Sequence, residues 1–210
     1  MKSVLCYGDS LTAGFYRYGS EFYPYGDTLA KLGEAKVDVV GMSGWTSEEM
    51  VQCTESLNNE DAVGFTSDGL IKLLKSNNYD IICLMAGTND LGMGICADDI
   101  IENLHTLTKI CLETNEAHAK VVLLTIPPSR GEPFTGARRA TVNTALASFA
   151  DNHPGKVFLV DTGSTLPITD TELWDSDMLH LSPVGSERLG KLVYDQLCSQ
   201  GLLAIDEGLL

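Results

Sequence analysis

Residues 3–14 read Ser-Val-Leu-Cys-Tyr-Gly-Asp-Ser-Leu-Thr-Ala-Gly, an apolar run that turns abruptly into a glycine-rich polar segment. The run Ser3–Tyr7 lacks strict polar alternation, which is typical of a strand buried on both faces of a sheet. Glycines on both sides of Asp9 and Ser10 favour a tight turn at the end of that strand. The stretch therefore predicts an internal parallel strand that delivers a serine to one edge of a sheet.

Four later segments have the same character and are separated by segments with helical spacing of apolar residues. These further predicted strands are Val37–Gly41, Ile81–Ala86, Val121–Ile126 and Val157–Val160. Strand and helix alternate throughout, which predicts a three-layer α/β/α fold with a five-stranded parallel sheet and helices on both faces. Without a linker, repeat or low-complexity tract, residues 1–210 are expected to form one domain.

Local signals place some of the helix starts and loops. Thr46-Ser47-Glu48-Glu49 has the form of a capping box and predicts a helix just after Thr46. Ser182-Pro183 predicts an N-cap followed by proline at the first helical position. The segments Asn58–Gly69, Ser129–Gly136 and Thr162–Ser176 are expected to be surface loops.

The composition excludes several functional classes. The 14 basic and 29 acidic residues give a net charge of −15, which disfavours nucleic acid and anionic membranes as partners. No stretch reaches about 18 apolar residues, and the amino terminus has no signal-peptide pattern, so we expect a cytoplasmic protein without stable membrane insertion. The six cysteines contain no C-x-x-C pair and His105, His118 and His153 have no metal-ligand spacing, so we expect neither metal nor disulfides.

In open parallel sheets, ligands bind beyond the carboxyl ends of the strands. The predicted strand ends bring Ser10, Asn89 and the pair Asp177 and His180 to that edge. A serine becomes a nucleophile when a histidine takes its proton and a carboxylate orients the histidine. Each feature alone has an ordinary explanation, a helix cap for Ser10 and a solvated loop pair for Asp177 and His180; their shared location favours catalysis.

The segments Gly8-Asp9-Ser10-Leu11, Gly44, Gly87-x-Asn89-Asp90 and Asp177-x-x-His180 resemble, in order, the four sequence blocks of the GDSL or SGNH hydrolases. The resemblance implies a flavodoxin-like fold with strand order 2-1-3-4-5 and cofactor-free hydrolysis of esters or thioesters. It also implies a catalytic triad of Ser10, Asp177 and His180. The oxyanion hole would comprise the N–H groups of Ser10 and Gly44 and the Asn89 side chain. Asp9 and Asp90 are expected only to fix their loops.

The substrate pocket is less well marked. Aromatic side chains are concentrated between Phe15 and Tyr25, where they could line an acyl pocket or simply pack on the core. The expected substrate-binding residues are Phe15, Tyr16, Trp45, Leu91, Met93 and Trp174. A mobile rim loop is expected at Leu91–Ile95, because Gly92 and Gly94 lower the cost of opening. Short to medium acyl chains are the expected substrates.

Three alternatives stay open on the sequence. The blocks specify acyl transfer and not the leaving group, so an acyl thioesterase or a carbohydrate deacetylase would use the same machinery. From another class, the chain could be a non-catalytic flavodoxin-like nucleotide-binding module. The motif Gly92-x-Gly94-x-x-Ala97 resembles a dinucleotide fingerprint, but it starts too far from its strand and the next strand ends without a ribose-binding acid.

Overall fold

A computed structural model describes residues 1–114 and 119–204. The strands of this part of the chain are β1 (Ser3–Gly8), β2 (Phe15–Tyr16), β3 (Glu21–Phe22), β4 (Lys36–Gly41), β5 (Asn59–Glu60), β6 (Thr66–Ser67), β7 (Ile81–Met85), β8 (Lys120–Leu124) and β9 (Val157–Val160). Its α-helices are α1 (Ser10–Ala13), α2 (Tyr25–Gly33), α3 (Ser47–Gln52), α4 (Leu70–Ser76), α5 (Thr88–Met93), α6 (Ala97–Thr114), α7 (Glu132–Asp151) and α8 (Pro183–Ser199). Short 3₁₀ turns cover Arg17–Gly19 and Thr171–Leu173.

The five predicted buried strands form one parallel sheet in the order β4-β1-β7-β8-β9. Counted along the chain among these five, the order is 2-1-3-4-5, so the predicted topology is confirmed. Helices cover both faces of the sheet and complete a three-layer α/β/α fold. The small pairs β2–β3 and β5–β6 are antiparallel hairpins outside the sheet.

Burial on both faces explains why the strands are apolar without alternation. In β1, Val4 and Cys6 pack in the core layer formed with α2 and α8, whereas Leu5 and Tyr7 pack in the layer formed with α3, α4, α6 and α7. All four side chains are nearly inaccessible to solvent. Each position in such a strand therefore contributes to a hydrophobic core.

Both predicted helix starts are confirmed. The Thr46 side chain accepts a hydrogen bond from the Glu49 N–H, and the Glu49 carboxylate accepts one from the Thr46 N–H. Ser182 Oγ accepts a hydrogen bond from the Gly185 N–H at the start of α8, with Pro183 in its first turn. These caps satisfy donors that a helix start otherwise leaves unpaired.

The loop predictions were less accurate. The second half of Ser129–Gly136 is wrong as a loop, because α7 already begins at Glu132 with a proline in its first turn. Thr162–Ser176 is not wholly at the surface, since Leu166, Leu173 and Trp174 are buried in the core. Asn58–Gly69 contains the β5–β6 hairpin.

No helix in the described part of the chain has the length and hydropathy needed to cross a bilayer. The six cysteines, all within the described ranges, are free thiols. His118 lies outside the described residues.

Candidate active site

Ser10 lies two residues beyond the end of β1, as the first residue of the short helix α1. The preceding residue, Asp9, caps this helix by accepting a hydrogen bond from the Leu11 N–H. Ser10 is 4% exposed, and its Oγ lies 2.9 Å from Nε2 of His180. A strand end and a helix cap thus fix a serine hydroxyl against an imidazole.

Asp177 holds the other side of the His180 ring. Its Oδ2 accepts a hydrogen bond from His180 Nδ1 at 2.7 Å, and its Oδ1 accepts from the backbone N–H groups of Leu179 and His180. Partial burial raises the pKa of Asp177, but these hydrogen bonds outweigh it, so the pKa lies below its ordinary value. The ionised carboxylate therefore favours a proton on Nδ1, and Nε2 can then accept a hydrogen bond from the Ser10 hydroxyl.

The β2–β3 hairpin covers the imidazole. The Phe15 ring lies over His180 with the two ring centroids 4.4 Å apart, and the His180 side chain is only 13% exposed. Of the predicted substrate-binding aromatic residues, Phe15 is therefore beside the Ser10–His180–Asp177 chain. Its contact in this structure is with the histidine.

Gly44 lies in the loop after β4 with a φ of +83°, a conformation that favours glycine. A Cβ there would also lie 2.9 Å from the Ala62 methyl group. The loop is held by buried Asp61, whose carboxylate accepts hydrogen bonds from the N–H groups of Ser43, Val63 and Phe65. In the described part of the chain, the Gly44 N–H donates to no protein acceptor.

Asn89, in the first turn of α5, is oriented by the same loop. Its Nδ2 donates a hydrogen bond to the Trp45 carbonyl oxygen at 2.8 Å. A carbonyl can only accept, so the amide must present its NH₂ end there, and one N–H bond remains for another acceptor. The adjacent Asp90 is buried and accepts hydrogen bonds from the backbone and hydroxyl of Ser47, which ties α5 to α3.

A cavity of about 470 Å³ extends from Asn89 and Asp177. Its apolar wall comprises Leu91, Met93, Ile126, Pro127 and Leu179. Its polar wall includes Ser129, Arg130, Thr135 and Arg139. The predicted pocket residues Leu91 and Met93 thus line a cavity at the site; the first is 4% and the second 67% exposed.

The expectation of a mobile rim loop at Leu91–Ile95 was wrong for its first half, because α5 continues to Met93 and Gly94 caps it. The reason is Arg138 in α7, whose guanidinium donates hydrogen bonds to the carbonyl oxygens of Ile95 and Leu91. A long-range contact thereby fixes a segment whose glycines suggested mobility.

The remaining predicted pocket residues pack elsewhere. Tyr16 packs edge-on against Tyr23, with ring centroids 5.7 Å apart. Trp45 is partly buried against the core, and its carbonyl contacts Asn89. Trp174 is 4% exposed, and its indole N–H donates to the Pro167 carbonyl, so its ring belongs to the core.

Two buried carboxylates that support the site, Asp61 and Asp175, have no recognisable signal in the sequence. Asp175 Oδ2 accepts a hydrogen bond from the Arg17 N–H, and Oδ1 accepts from the backbone and hydroxyl of Ser176. Both aspartates bind backbone N–H groups of distant loops. No spacing pattern marks such partners in a sequence.

Asp9, next to Ser10, has a carboxyl oxygen without a hydrogen-bond partner in the described residues. It is fully buried, and its Oδ2 has no hydrogen-bond partner in the described structure. Burial, reinforced by nearby Asp90, raises the pKa of Asp9 to about 7 despite the opposing Leu11 N–H. Asp9 is therefore neutral over most of the acid range.

Comparison with known proteins gives a family match. A family model described as the GDSL-like Lipase/Acylhydrolase family matches residues 6–188. No curated protein matches the chain in a sequence search.

Three solved structures illustrate the shared fold. A proposed arylesterase from Agrobacterium tumefaciens has 24% identity and a TM-score of 0.71, over 97% of this chain and 100% of that chain. A lipase/acylhydrolase from Enterococcus faecalis has 23% identity and a TM-score of 0.70, over 99% of this chain and 100% of that one. A carbohydrate esterase family 3 protein from Talaromyces cellulolyticus has 18% identity and a TM-score of 0.70, over 95% and 98%.

Proposed function

The chain belongs to the GDSL-like lipase/acylhydrolase family, and we propose that it hydrolyses carboxylic esters of short to medium acyl chains through an acyl-enzyme at Ser10. One observation carries the proposal: His180 bonds at once to Ser10, at 2.9 Å, and to Asp177, at 2.7 Å. A serine hydroxyl is activated by such a chain of hydrogen bonds, in which a histidine contacts the serine and a carboxylate orients the histidine.

In the first half of the reaction, Ser10 Oγ attacks the ester carbonyl while its proton passes to His180 Nε2. Asp177 stabilises the imidazolium that forms. The tetrahedral intermediate collapses when His180 gives the proton to the departing alkoxide, which leaves as an alcohol. Water then attacks the acyl-enzyme by the same steps and releases the carboxylic acid, so no metal or organic cofactor takes part.

The oxyanion of each tetrahedral intermediate needs preorganised donors. We assign this role to the N–H groups of Ser10 and Gly44 and to the free N–H bond of Asn89. None of the three is engaged by the protein in the described residues. Donors that are fixed before the charge develops cost no reorganisation during the reaction.

The acyl chain is assigned to the cavity beyond Asn89, whose apolar wall suits a short alkyl group. The same chemistry would cleave a thioester or a sugar acetate, and one of the structurally similar proteins is a carbohydrate esterase. The six free thiols support a reducing compartment, for which we propose the cytoplasm.

A hydrolysis panel tests the proposal. The purified protein would be assayed with p-nitrophenyl acetate, butyrate, octanoate and palmitate, an acetylated sugar and an acyl-CoA. We expect ester turnover that falls at least about 10³-fold in Ser10→Ala, and fluorophosphonate labelling that the variant loses. Ser148→Ala, on the exposed face of α7, is the matched control. Activity of Ser10→Ala within tenfold of wild type, or nucleotide binding without ester turnover, would refute the assignment.

A further inference from the structure

Arg130 borders the cavity that opens at Asn89 and Asp177. Its backbone N–H donates a hydrogen bond to the Met178 carbonyl oxygen at 2.9 Å. Met178 belongs to the same turn as Asp177, so this bond fixes the arginine backbone relative to the Ser10–His180–Asp177 chain. The guanidinium is thereby tethered within one side chain's length of the cavity.

The five arginines of this chain differ in the groups that bind their guanidinium side chains. Arg17, Arg139 and Arg188 pair with the carboxylates of Glu21, Glu132 and Asp170. Arg138 donates to two backbone carbonyl groups. Across residues 1–114 and 119–204, the Arg130 guanidinium has neither an acidic partner nor a carbonyl acceptor.

The ionisable side chains within the cavity show the same difference. Three ionisable side chains line it, and two of them are satisfied: Asp177 by His180 and backbone N–H groups, and Arg139 by Glu132 and the Ile126 carbonyl. Arg130, an exposed residue, is therefore the ionisable residue of this lining whose side chain has no protein partner in the described residues, so its guanidinium donors are free to bind a ligand. This occurs in a chain whose acidic residues outnumber its basic residues by 29 to 14, where acidic partners are plentiful.

A guanidinium beside an apolar wall recognises an alkyl chain that ends in an anion, because its planar fork binds a carboxylate through two parallel hydrogen bonds. We propose that one arm of the substrate ester carries a carboxylate that binds Arg130, so that the preferred substrates are half-esters of short dicarboxylic acids or esters of similar anionic shape. This inference rests on the proposed function, and it specifies that the preferred substrate is an anion.

Matched pairs of esters test it. Mono-4-nitrophenyl glutarate and 4-nitrophenyl valerate differ by a terminal carboxylate on the acyl arm. A second pair, 4-acetoxybenzoate and phenyl acetate, carries the difference on the alcohol arm. In at least one pair, wild type should have the higher kcat/KM for the anionic ester, and salt should weaken that preference.

Arg130→Gln should lower the anionic-to-neutral ratio of kcat/KM by about 10- to 100-fold, the usual effect of losing a hydrogen bond to a charged group. Arg130→Lys should retain part of the preference. Arg188→Gln, on the exposed surface of α8 and paired with Asp170, is the matched control and should leave the ratio unchanged.

The outcomes separate the two proposals. Hydrolysis of the neutral esters with no anionic preference in either pair, or an equal ratio in wild type and Arg130→Gln, overturns the role of Arg130 and leaves the esterase assignment standing. If none of the four esters is hydrolysed, the esterase assignment falls, and the role of Arg130 falls with it.

Discussion

The buried carboxylate of Asp175 accepts a hydrogen bond from the backbone N–H of Arg17 at 2.8 Å, across 158 positions of sequence. Asp175 precedes the Asp177–His180 turn, and its own N–H donates to the His180 carbonyl oxygen. Arg17 follows the strand that carries Phe15. The contact therefore holds the strand that carries Phe15 against the turn that carries His180.

Asp175→Ala should lower kcat about tenfold and destabilise the fold by about 1–3 kcal/mol, because the N–H groups of Arg17 and Ser176 lose their buried acceptor. Asp175→Asn, which keeps an acceptor oxygen, should recover part of both losses. Asp170→Ala in the same loop removes only an exposed ion pair and should change stability by at most about 0.5 kcal/mol. Kinetics with chemical denaturation would check this; equal effects of the two alanine variants would argue against a positioning role.

Asn89→Ala should reduce kcat by roughly 10²–10³-fold with a smaller change in KM, because its donor acts mainly in the transition state. Asn152→Ala, which alters an exposed amide at the end of α7, is the matched control. Steady-state kinetics on p-nitrophenyl butyrate would measure both. A change confined to KM would show that Asn89 only binds substrate.

Gly44→Ala should lower kcat more than tenfold, because a methyl group would crowd Ala62 and shift the N–H assigned to the oxyanion. Gly155→Ala controls for backbone strain, since Gly155 has a φ of +72° with no atom near its absent Cβ. Both variants should lose about 1–2 kcal/mol of stability, but only Gly44→Ala should lose turnover. Comparable activities would remove Gly44 from the oxyanion assignment.

Asp9 gives the stability a distinctive pH dependence. Its folded pKa of about 7 lies above its unfolded value, so the folded state binds the extra proton. Stability should therefore fall as pH rises from about 4 to 7, by at most about 1.4 kcal/mol per pH unit from this group. Asp9→Asn stays neutral and should remove that slope, so it should gain on wild type at pH 8 relative to pH 4.5. Thermal or urea unfolding across this pH range would measure the stability of both proteins. Parallel stability profiles for wild type and Asp9→Asn would contradict the raised pKa of Asp9.

The acyl-length profile should rise from acetate and peak between about C4 and C8, since each buried CH₂ contributes about 0.8 kcal/mol until the cavity is full. Palmitate should be hydrolysed less efficiently, because its outer methylenes would stay in water. Values of kcat/KM along a p-nitrophenyl ester series would test this. A steady rise to palmitate would indicate an open groove, and a sharp preference for acetate would favour a deacetylase.

Much of the fold could be predicted, because it depends on local signals. The five strands are buried on both faces, so each is apolar throughout and stands out in the sequence. The caps at Thr46 and Ser182 act over three residues and leave a local signature. Ser10, Asn89, Asp177 and His180 could be brought together because each follows a strand or a recognisable block.

What the sequence did not indicate depends on contacts between distant segments. The glycines at 92 and 94 suggested a mobile loop, but Arg138 in another helix fixes the segment. Trp174 resembled a pocket residue by its nearness to Asp177, yet it is buried in the core. Asp61 and Asp175 support the site by accepting hydrogen bonds from backbone N–H groups. Every residue except proline carries such a group, so the type of the partner residue gives no signal in the sequence.

Ser10 and His180 are separated by 170 positions, and this separation has a consequence for biosynthesis. The last strand of the sheet, β9, ends at Val160. When synthesis has reached the end of β9, all five strands of the sheet have been made, but Asp177 and His180 have not. Ser10 is therefore synthesised 170 residues before the imidazole that is proposed to activate it. On the proposed mechanism, the growing chain carries an inert serine until the segment with Asp177 and His180 has been made and has packed against the end of β1.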